Sequence, residues 1–584
     1  MSDKLEAVVI GTGFGGAINA CRLARSWPGK VVVLERGRRY GLGEFPRAPA
    51  DFARNFWVLP DRTPHPKHIR KAARQSCAPH GAKGEMHGMY DIRNYDHMDV
   101  VVCAGVGGGS LIYANVFLEP PEEVFADPRW PASCKKPSLT PYYAVAKSVL
   151  GSRRIPTDTG DPRRRIAKTE LFQRAAKKAD RDSQLLDINV FFGNDHAVPS
   201  PIGEQSRNRF GALQTSCTYC GECVCGCNYH AKNTVDLNYL YVAENVHHAE
   251  VRTEHLVEEI VPVNSSDADD RNADASNGYR VKFRDLRTNT SGSLLSKRVV
   301  VSAGCLGSTE LLLRCKKVLH TLPNISDRLG QQFSGNGDFL SFVIEGFKGE
   351  PNYGPTITQA TDYNLFRDFA PGHAFILEDA SYPAFLSWFV EGARPRLMWW
   401  KPISRLVRHL WTNFTSGKSP GILGYAFADV LSDCTSEQSA VLLCMGVDTS
   451  TGVMDLDANG HLSVNWPMQK NRSLYDAIVR ESEQFQRHAG AKVFTPLPTW
   501  DWPLRNNITV HPLGGCVLAD DREHGVTNAS PAKFGEVFGY SGLYVADGAI
   551  VPTATGSNPV ATISALSEMV ARGITGVEPD DRLR

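Results

Sequence analysis

Apolar runs that end in glycine organise this chain. Val8-Val9-Ile10 leads into Gly11-Thr12-Gly13-Phe14-Gly15-Gly16, a helical stretch over 17–25 follows, and Val31-Val32-Val33-Leu34 closes on Glu35. The pattern predicts strand, glycine turn, helix and a second strand. Gly11, Gly13 and Gly16 fit a turn too tight for side chains, a backbone approach to a pyrophosphate, and close packing of helix on strand. The expected nucleotide contacts are Gly11, Gly13, Phe14, Gly15, Gly16 and Glu35. Glu35 is placed to accept from a ribose 2′-hydroxyl, and diphosphate charge falls on the amides that open the helix. An acidic residue there repels the extra phosphate of NADP; NAD and FAD both remain open.

Three later junctions repeat strand and glycine. An apolar run over 100–104 enters Gly105-Val106-Gly107-Gly108-Gly109-Ser110, but no helix and acid-ended strand follow, so these glycines read as a close backbone approach to a flat ring. Val299-Val300-Val301 enters Ser302-Ala303-Gly304 ahead of a helix over 308–313. Leu543-Tyr544-Val545 enters Ala546-Asp547-Gly548, and Asn558-Pro559 opens a last helix over 559–570. A nicotinamide site needs only its own strand–helix–strand unit. Gly105, Gly107, Gly108, Gly109, Ser110, Ala303, Gly304, Asp547, Gly548, Asn558 and Pro559 are what a longer, more enclosed FAD requires, and they are assigned to it.

The expected fold is α/β: a Rossmann-like FAD-binding domain with a parallel sheet, assembled from discontinuous segments, and a second α+β substrate domain containing an antiparallel sheet. The FAD-binding parts are placed at 1–119, 229–344 and 505–584. Residues 120–228 and 345–504, richer in proline and aromatics, form the substrate domain. Alternation at Tyr279-Arg280-Val281-Lys282-Phe283 predicts a half-exposed strand, preceded by a solvated hairpin tip over 265–277.

Composition narrows the partners. With 584 residues, 42% of them hydrophobic, the chain can bury a full core. Its 64 basic and 63 acidic residues leave a net charge of +1, which excludes a global field for nucleic acid. The first strand begins too early for a signal peptide, and no run reaches the ~18 apolar residues of a spanning helix. A cytoplasmic protein is expected, and its fourteen cysteines read as thiols rather than a secreted disulfide framework.

Two stretches stand apart from the junctions. Cys217, Cys220, Cys223 and Cys227 follow C-x2-C-x2-C-x3-C, the spacing of bacterial ferredoxins, with Cys225 between. An iron–sulfur cluster, a zinc ion and a structural loop are the three readings; against the first, Asn228 stands where ferredoxins have proline, and no second run exists. Residues 395–411 place Ile403, Leu406, Val407, Leu410 and Trp411 on one helical face beside Arg394, Arg396, Lys401, Arg405 and Arg408. That face suits peripheral contact with an anionic membrane or a lid helix over the core.

In order along the chain, the first glycine motif, Gly105–Leu111, Ala303-Gly304-Cys305-Leu306-Gly307-Ser308-Thr309-Glu310, His511-Pro512-Leu513-Gly514-Gly515-Cys516, and Asp547-Gly548 with Gly556-Ser557-Asn558-Pro559 resemble the glucose-methanol-choline (GMC) family of FAD-dependent alcohol oxidases and dehydrogenases. The nearest likeness is to its bacterial cholesterol-oxidase-like branch. Where many members carry a basic or Asn residue and a later Asn or His in the second loop, this chain has Gly105 and Tyr113.

The resemblance implies oxidation of an alcohol by hydride transfer to flavin N5, with His511 and Asn558 facing flavin and substrate. Histidine suits the proton acceptor because its ordinary pKa lies near neutrality. Asn558 can orient the hydroxyl; its plain alternative is a helix cap. Phe375-Ile376-Leu377-Glu378-Asp379 is similar to the segment carrying the active-site Glu of that branch. Burial of Glu378 would raise its pKa and suit it to relay a proton on an enolisable ketone, which adds isomerisation to oxidation. A sterol or other bulky apolar alcohol is the expected substrate. Its rivals are a sugar or small alcohol oxidised with an acceptor other than oxygen, and a flavin or iron–sulfur protein without turnover.

Overall fold

The computed structural model describes residues 4–48, 55–58, 86–157, 159–273, 275–347, 349–387, 407, 411, 436–497, 499–500 and 505–584. The expected amphipathic stretch 395–411 lies outside the described residues apart from Val407 and Trp411.

The opening motif builds the centre of the first sheet. Strand β1 (Leu5–Ile10) leads through the glycine turn to α1 (Phe14–Ser26) and returns in β2 (Val31–Leu34), parallel to β1 with Val8 opposite Val32. Ala7, Val8, Val9 and Val33 are fully buried, because a parallel strand is covered on both faces and tolerates no polar alternation. Glu250–Arg252, β3, adds to β2 in parallel. Then β4 (His255–Pro262) and β5 (Tyr279–Asp285) form an antiparallel meander with β6 (Thr290–Val301). β5 alternates buried and half-buried residues, as its sequence predicts. The twelve-residue β6 serves two sheets in one: its first half pairs antiparallel with β5, and its second half pairs parallel with β1, Val299 opposite Val8. Helix α2 (Gly304–Lys317) follows and starts four residues earlier than the apolar pattern suggests.

A second, antiparallel sheet is the substrate-side layer. It comprises β7 (Phe339–Ile344), β8 (Gln359–Tyr363), β9 (Phe375–Glu378), β10 (Ala440–Gly446) and β11 (Val493–Pro496), in the order β11-β7-β10-β9-β8, with Ser183–Leu185 at its far edge. One strand of this sheet, β7, lies inside the segment 229–344 that the sequence pattern gives to the FAD domain. Phe339, Val343, Leu442 and Cys444 pack beneath it against Leu474, Ile478 and Phe485 of α3 (Arg472–Ala489). The alternate residues Leu340, Phe342, Val441 and Leu443 face the other way.

The chain then returns to the first sheet. β12 (Leu543–Val545) pairs parallel with β6, Val299 opposite Leu543 and Val301 opposite Val545, and α4 (Val560–Thr575) packs on α1. Arg22 of α1 and Glu568 of α4 join in a buried bidentate ion pair, Nε to Oε2 and Nη2 to Oε1 both at 2.8 Å. Removing either partner strands a buried charge, which costs about 3–5 kcal/mol. Among the described residues no helix is long and apolar enough to cross a membrane.

Candidate active site

A cavity of about 1130 Å³ runs from the ends of the parallel strands to the upward face of the second sheet. Gly11, Thr12, Gly13, Phe14, Gly15 and Glu35 line one end. The four glycines do different work. A Cβ on Gly11 (φ +97°) would meet Ser302 O at 2.3 Å, one on Gly15 would meet Ala546 O at 1.5 Å, and one on Gly16 would meet Gly11 O at 2.0 Å. A Cβ on Gly13 would meet nothing within 4 Å. Three positions are thus required by packing, and Gly13 alone is bare toward open space.

Glu35 lines this end, yet its carboxylate is already engaged. Oε2 accepts from Thr12 N at 3.1 Å and Thr12 Oγ1 at 2.5 Å, while Oε1 accepts from Gly37 N at 2.8 Å and Gly105 N at 3.3 Å. Four donors match the lone-pair capacity of a carboxylate. Glu35 therefore clamps the first glycine turn to the second loop. In that loop Gly108 and Gly109 reach the cavity, and a Cβ on Gly108 would lie 2.6 Å from Gly13 Cα. Gly16, Gly105, Gly107 and Ser110 do not reach it. Ser110 is buried behind, its hydroxyl donating to Gly107 O at 2.7 Å and accepting from Val235 N at 3.2 Å.

The third and fourth junctions meet across β6 and β12. Asp547 Oδ2 accepts from Gly304 N at 2.9 Å and from Ser308 Oγ at 2.5 Å, and Oδ1 accepts from Ala549 N at 2.8 Å. Burial still dominates and pushes its carboxyl up to about 6. Ala303, Gly304, Asp547, Gly548 and Pro559 all line the cavity. The donor set fits an FAD. The volume exceeds that of an ordinary small-ligand pocket, Gly13, Gly109 and Gly304 carry no Cβ neighbour within 4 Å, and the N-terminus of α1 opens into the space.

His511 and Asn558 line the same cavity. His511 stands two residues past the short strand Asn507–Thr509, which pairs parallel with Met98–Cys103. Its Nδ1 lies 2.8 and 3.0 Å from the two carboxylate oxygens of Asp338. Asn558 precedes α4 but does not cap it. Its Nδ2 donates to Glu378 Oε2 at 3.4 Å, and Pro559 occupies the cap position without a side-chain bond. Glu378 does not itself line the cavity; it is fully buried against Asn558, and burial pushes its carboxyl well above the usual carboxylate range. Its neighbour Asp379 is the structural one of the two. Asp379 accepts from Thr358 N, Gln359 N and the hydroxyls of Thr169 and Thr358, and faces the buried Lys168 ammonium at 3.4 Å.

Sequence reasoning misses Asp338 and Thr509. Asp338 heads the 338, 340, 342 series of β7 that faces the cavity, and this alternation was a usable signal; its pairing with a residue 173 positions away was not.

The structure gathers the four cysteines of the spacing in one place. Cys217, Cys220, Cys223 and Cys227 do line one small cavity with Lys232, but it is about 20 Å³, room for one water-sized body. Among the described residues no three His, Cys, Asp or Glu side chains form a metal-holding group. Burial pushes the Cys220 thiol up to about 12 and that of Cys217 well above its ordinary range. Lys232 is buried beside them. Its Nζ donates to Leu111 O at 3.1 Å, Tyr113 O at 2.8 Å and Cys223 O at 2.8 Å, tying the loop to the cavity wall.

The chain is similar to known proteins over nearly its whole length. Two GMC oxidoreductase family models match the chain, the N-terminal one over residues 15–317 and the C-terminal one over 445–567. A cholesterol oxidase of Acinetobacter baumannii is 27% identical, covering 96% of this chain and 93% of that protein. A cholesterol oxidase of Mycobacterium tuberculosis is 27% identical, with 98% and 91% covered. Among solved structures, pyridoxine 4-oxidase from Mesorbium loti superposes with a TM-score of 0.56 at 14% identity, covering 97% of this chain and 99% of that one. A fungal aryl-alcohol oxidase superposes at 0.57 and 15%, covering 99% of both chains. With a nucleotide-binding half, an antiparallel substrate sheet and both family models on one chain, this protein belongs to the GMC oxidoreductase family of FAD-dependent alcohol oxidoreductases.

Proposed function

We propose that the protein oxidises a bulky, apolar alcohol, a sterol or a molecule of similar shape, to the corresponding ketone or aldehyde. One observation carries this reading. Leu340 and Phe342 of β7 stand directly across from Leu443 and Val441 of β10, and this apolar floor faces the same cavity as His511 and Asn558. A flat hydrocarbon body on such a floor loses water from both surfaces, at about 25 cal/mol per Å². A sugar would strand its hydroxyls there. The curated relatives named cholesterol oxidases support the same substrate class.

Bound FAD supplies the two-electron acceptor. The chain's own residues do the rest: His511 takes the hydroxyl proton as the carbinol C–H bond breaks, and Asn558, whose Oδ1 has no protein partner, orients the substrate oxygen or the ring edge. Glu378, whose carboxyl burial pushes well above the usual range, adjoins the cavity through Asn558, and this supports a proton exchange at the carbon beside the new carbonyl and isomerisation of an enolisable product.

Anaerobic mixing of the flavoprotein with sterols, long-chain alcohols, short alcohols and sugars, followed in the flavin absorption band, tests the reading. Sterols should bleach the band. Bleaching by sugars with sterols inert would overturn the substrate class, and oxygen consumption against dye reduction then identifies the acceptor.

A further inference from the structure

The contact between Asp338 and His511 belongs to no part of the reading above, although it rests on that reading for the role of His511. Asp338 sits at the head of β7, its side chain 3% exposed at the cavity wall. Besides His511 Nδ1, its carboxylate accepts from Val510 N at 2.8 Å and faces Thr509 Oγ1 at 3.0 Å, while its backbone carbonyl accepts from Asn507 Nδ2 at 2.6 Å. Thr509 Oγ1 in turn accepts from His511 N at 3.0 Å. The loop carrying the histidine is thus laced to this one aspartate through its backbone and its ring.

We propose that Asp338 is the positioning residue of the active site, fixing the ring of His511 and holding its proton on Nδ1. An ionised carboxylate only accepts, so the contact assigns the hydrogen to Nδ1 and leaves Nε2 as a bare acceptor. The substrate O–H bond then breaks toward Nε2, a new N–H bond forms there, and the electron pair of the C–H bond leaves as hydride to the family's flavin. Asp338 receives no proton. It stabilises the imidazolium by charge, and the geometry is set before substrate arrives.

The test uses holoprotein labelled with ¹⁵N in its histidine rings, with His511 assigned by its loss in His511→Gln. His511 of the unsubstituted protein should show a protonated Nδ1 and an unprotonated Nε2. In Asp338→Asn this preference should disappear. Flavin reduction by the best alcohol should slow by about 10²–10⁴-fold while the substrate Kd stays within about threefold, and Asp338→Glu should recover part of the rate. A proton on Nε2 in the unsubstituted protein, or an Asp338→Asn protein that keeps both tautomer and rate, overturns the inference. If Asp338→Asn does not fold, the tautomer of the unsubstituted protein and the Asp338→Glu rate decide alone. If no alcohol reduces the flavin, the substrate reading falls while the tautomer still decides the role of Asp338.

Discussion

Asn558 donates to Glu378 across 3.4 Å, and on the far side of that contact both residues end in a buried oxygen without a protein partner, Oδ1 of Asn558 and Oε1 of Glu378. Buried orphans cost about 1–3 kcal/mol each, so a pair of them marks a place where something else completes the bonding. Glutamine imitates a neutral carboxyl in shape. Glu378→Gln should therefore fold normally and keep alcohol oxidation within about tenfold. Deuterium exchange from solvent beside the new carbonyl should vanish. Full exchange in the variant, read by mass spectrometry of the product, would remove Glu378 from the proton path.

His511→Gln should retain flavin and lose about 10²–10⁴-fold in the rate of its reduction by alcohol. Absorbance of the purified protein gives cofactor content, and stopped-flow mixing gives the rate. Normal reduction would place the proton acceptor elsewhere.

Two glycine substitutions two positions apart should separate packing from binding. Gly15→Ala drives a methyl to 1.5 Å from Ala546 O, where α1 meets the turn after β12, and should destabilise the fold by at least about 3 kcal/mol. Gly13→Ala meets no protein atom within 4 Å and has an ordinary φ of −66°, so its unfolding midpoint in flavin-depleted protein should match the parent. Its flavin content should fall, because the methyl occupies the space left for a phosphate. Equal behaviour of the two variants in urea titration would contradict this division.

Asp547 gives a pH dependence of definite sign. Its folded pKa of about 6 lies above the ordinary carboxyl value of 3.8. The native state therefore holds the proton more tightly, so its contribution to stability is intact below about pH 4 and is lost as pH rises through 6. Roughly two pKa units correspond to about 3 kcal/mol. Against Asp547→Asn, which does not titrate, flavin-depleted protein should lose about that much between pH 4 and 7 in urea unfolding. Parallel curves would show that the carboxylate is fully compensated.

The glycine junctions were legible because close backbone approach leaves no substitute for a missing side chain: Gly11, Gly15 and Gly16 would each clash at 2.3 Å or less. Buried parallel strands were equally open to reading, since Val8, Val9, Val299 and Val300 carry no polar alternation. What stayed hidden depends on distance in sequence. Asp338 acquires meaning only beside His511, and the four-donor saturation of Glu35 only beside Thr12, Gly37 and Gly105. The cysteine spacing constrains the loop, whereas the Lys232 contacts that tie it to Leu111 and Tyr113 are a tertiary fact.

The late return of β12 to β6 bears on how the protein is made. The bond from Ser302 Oγ to Ala546 O spans 244 residues, so on a ribosome the parallel edge of β6 waits unpaired while β7 to β11 emerge. His511, Asp547 and Asn558 line the cavity, so its lining is complete only once nearly the entire polypeptide has been released. Until then the open edge is free to join another nascent chain, so flavin supply and chaperone access during expression should govern yield more than the stability of the finished fold.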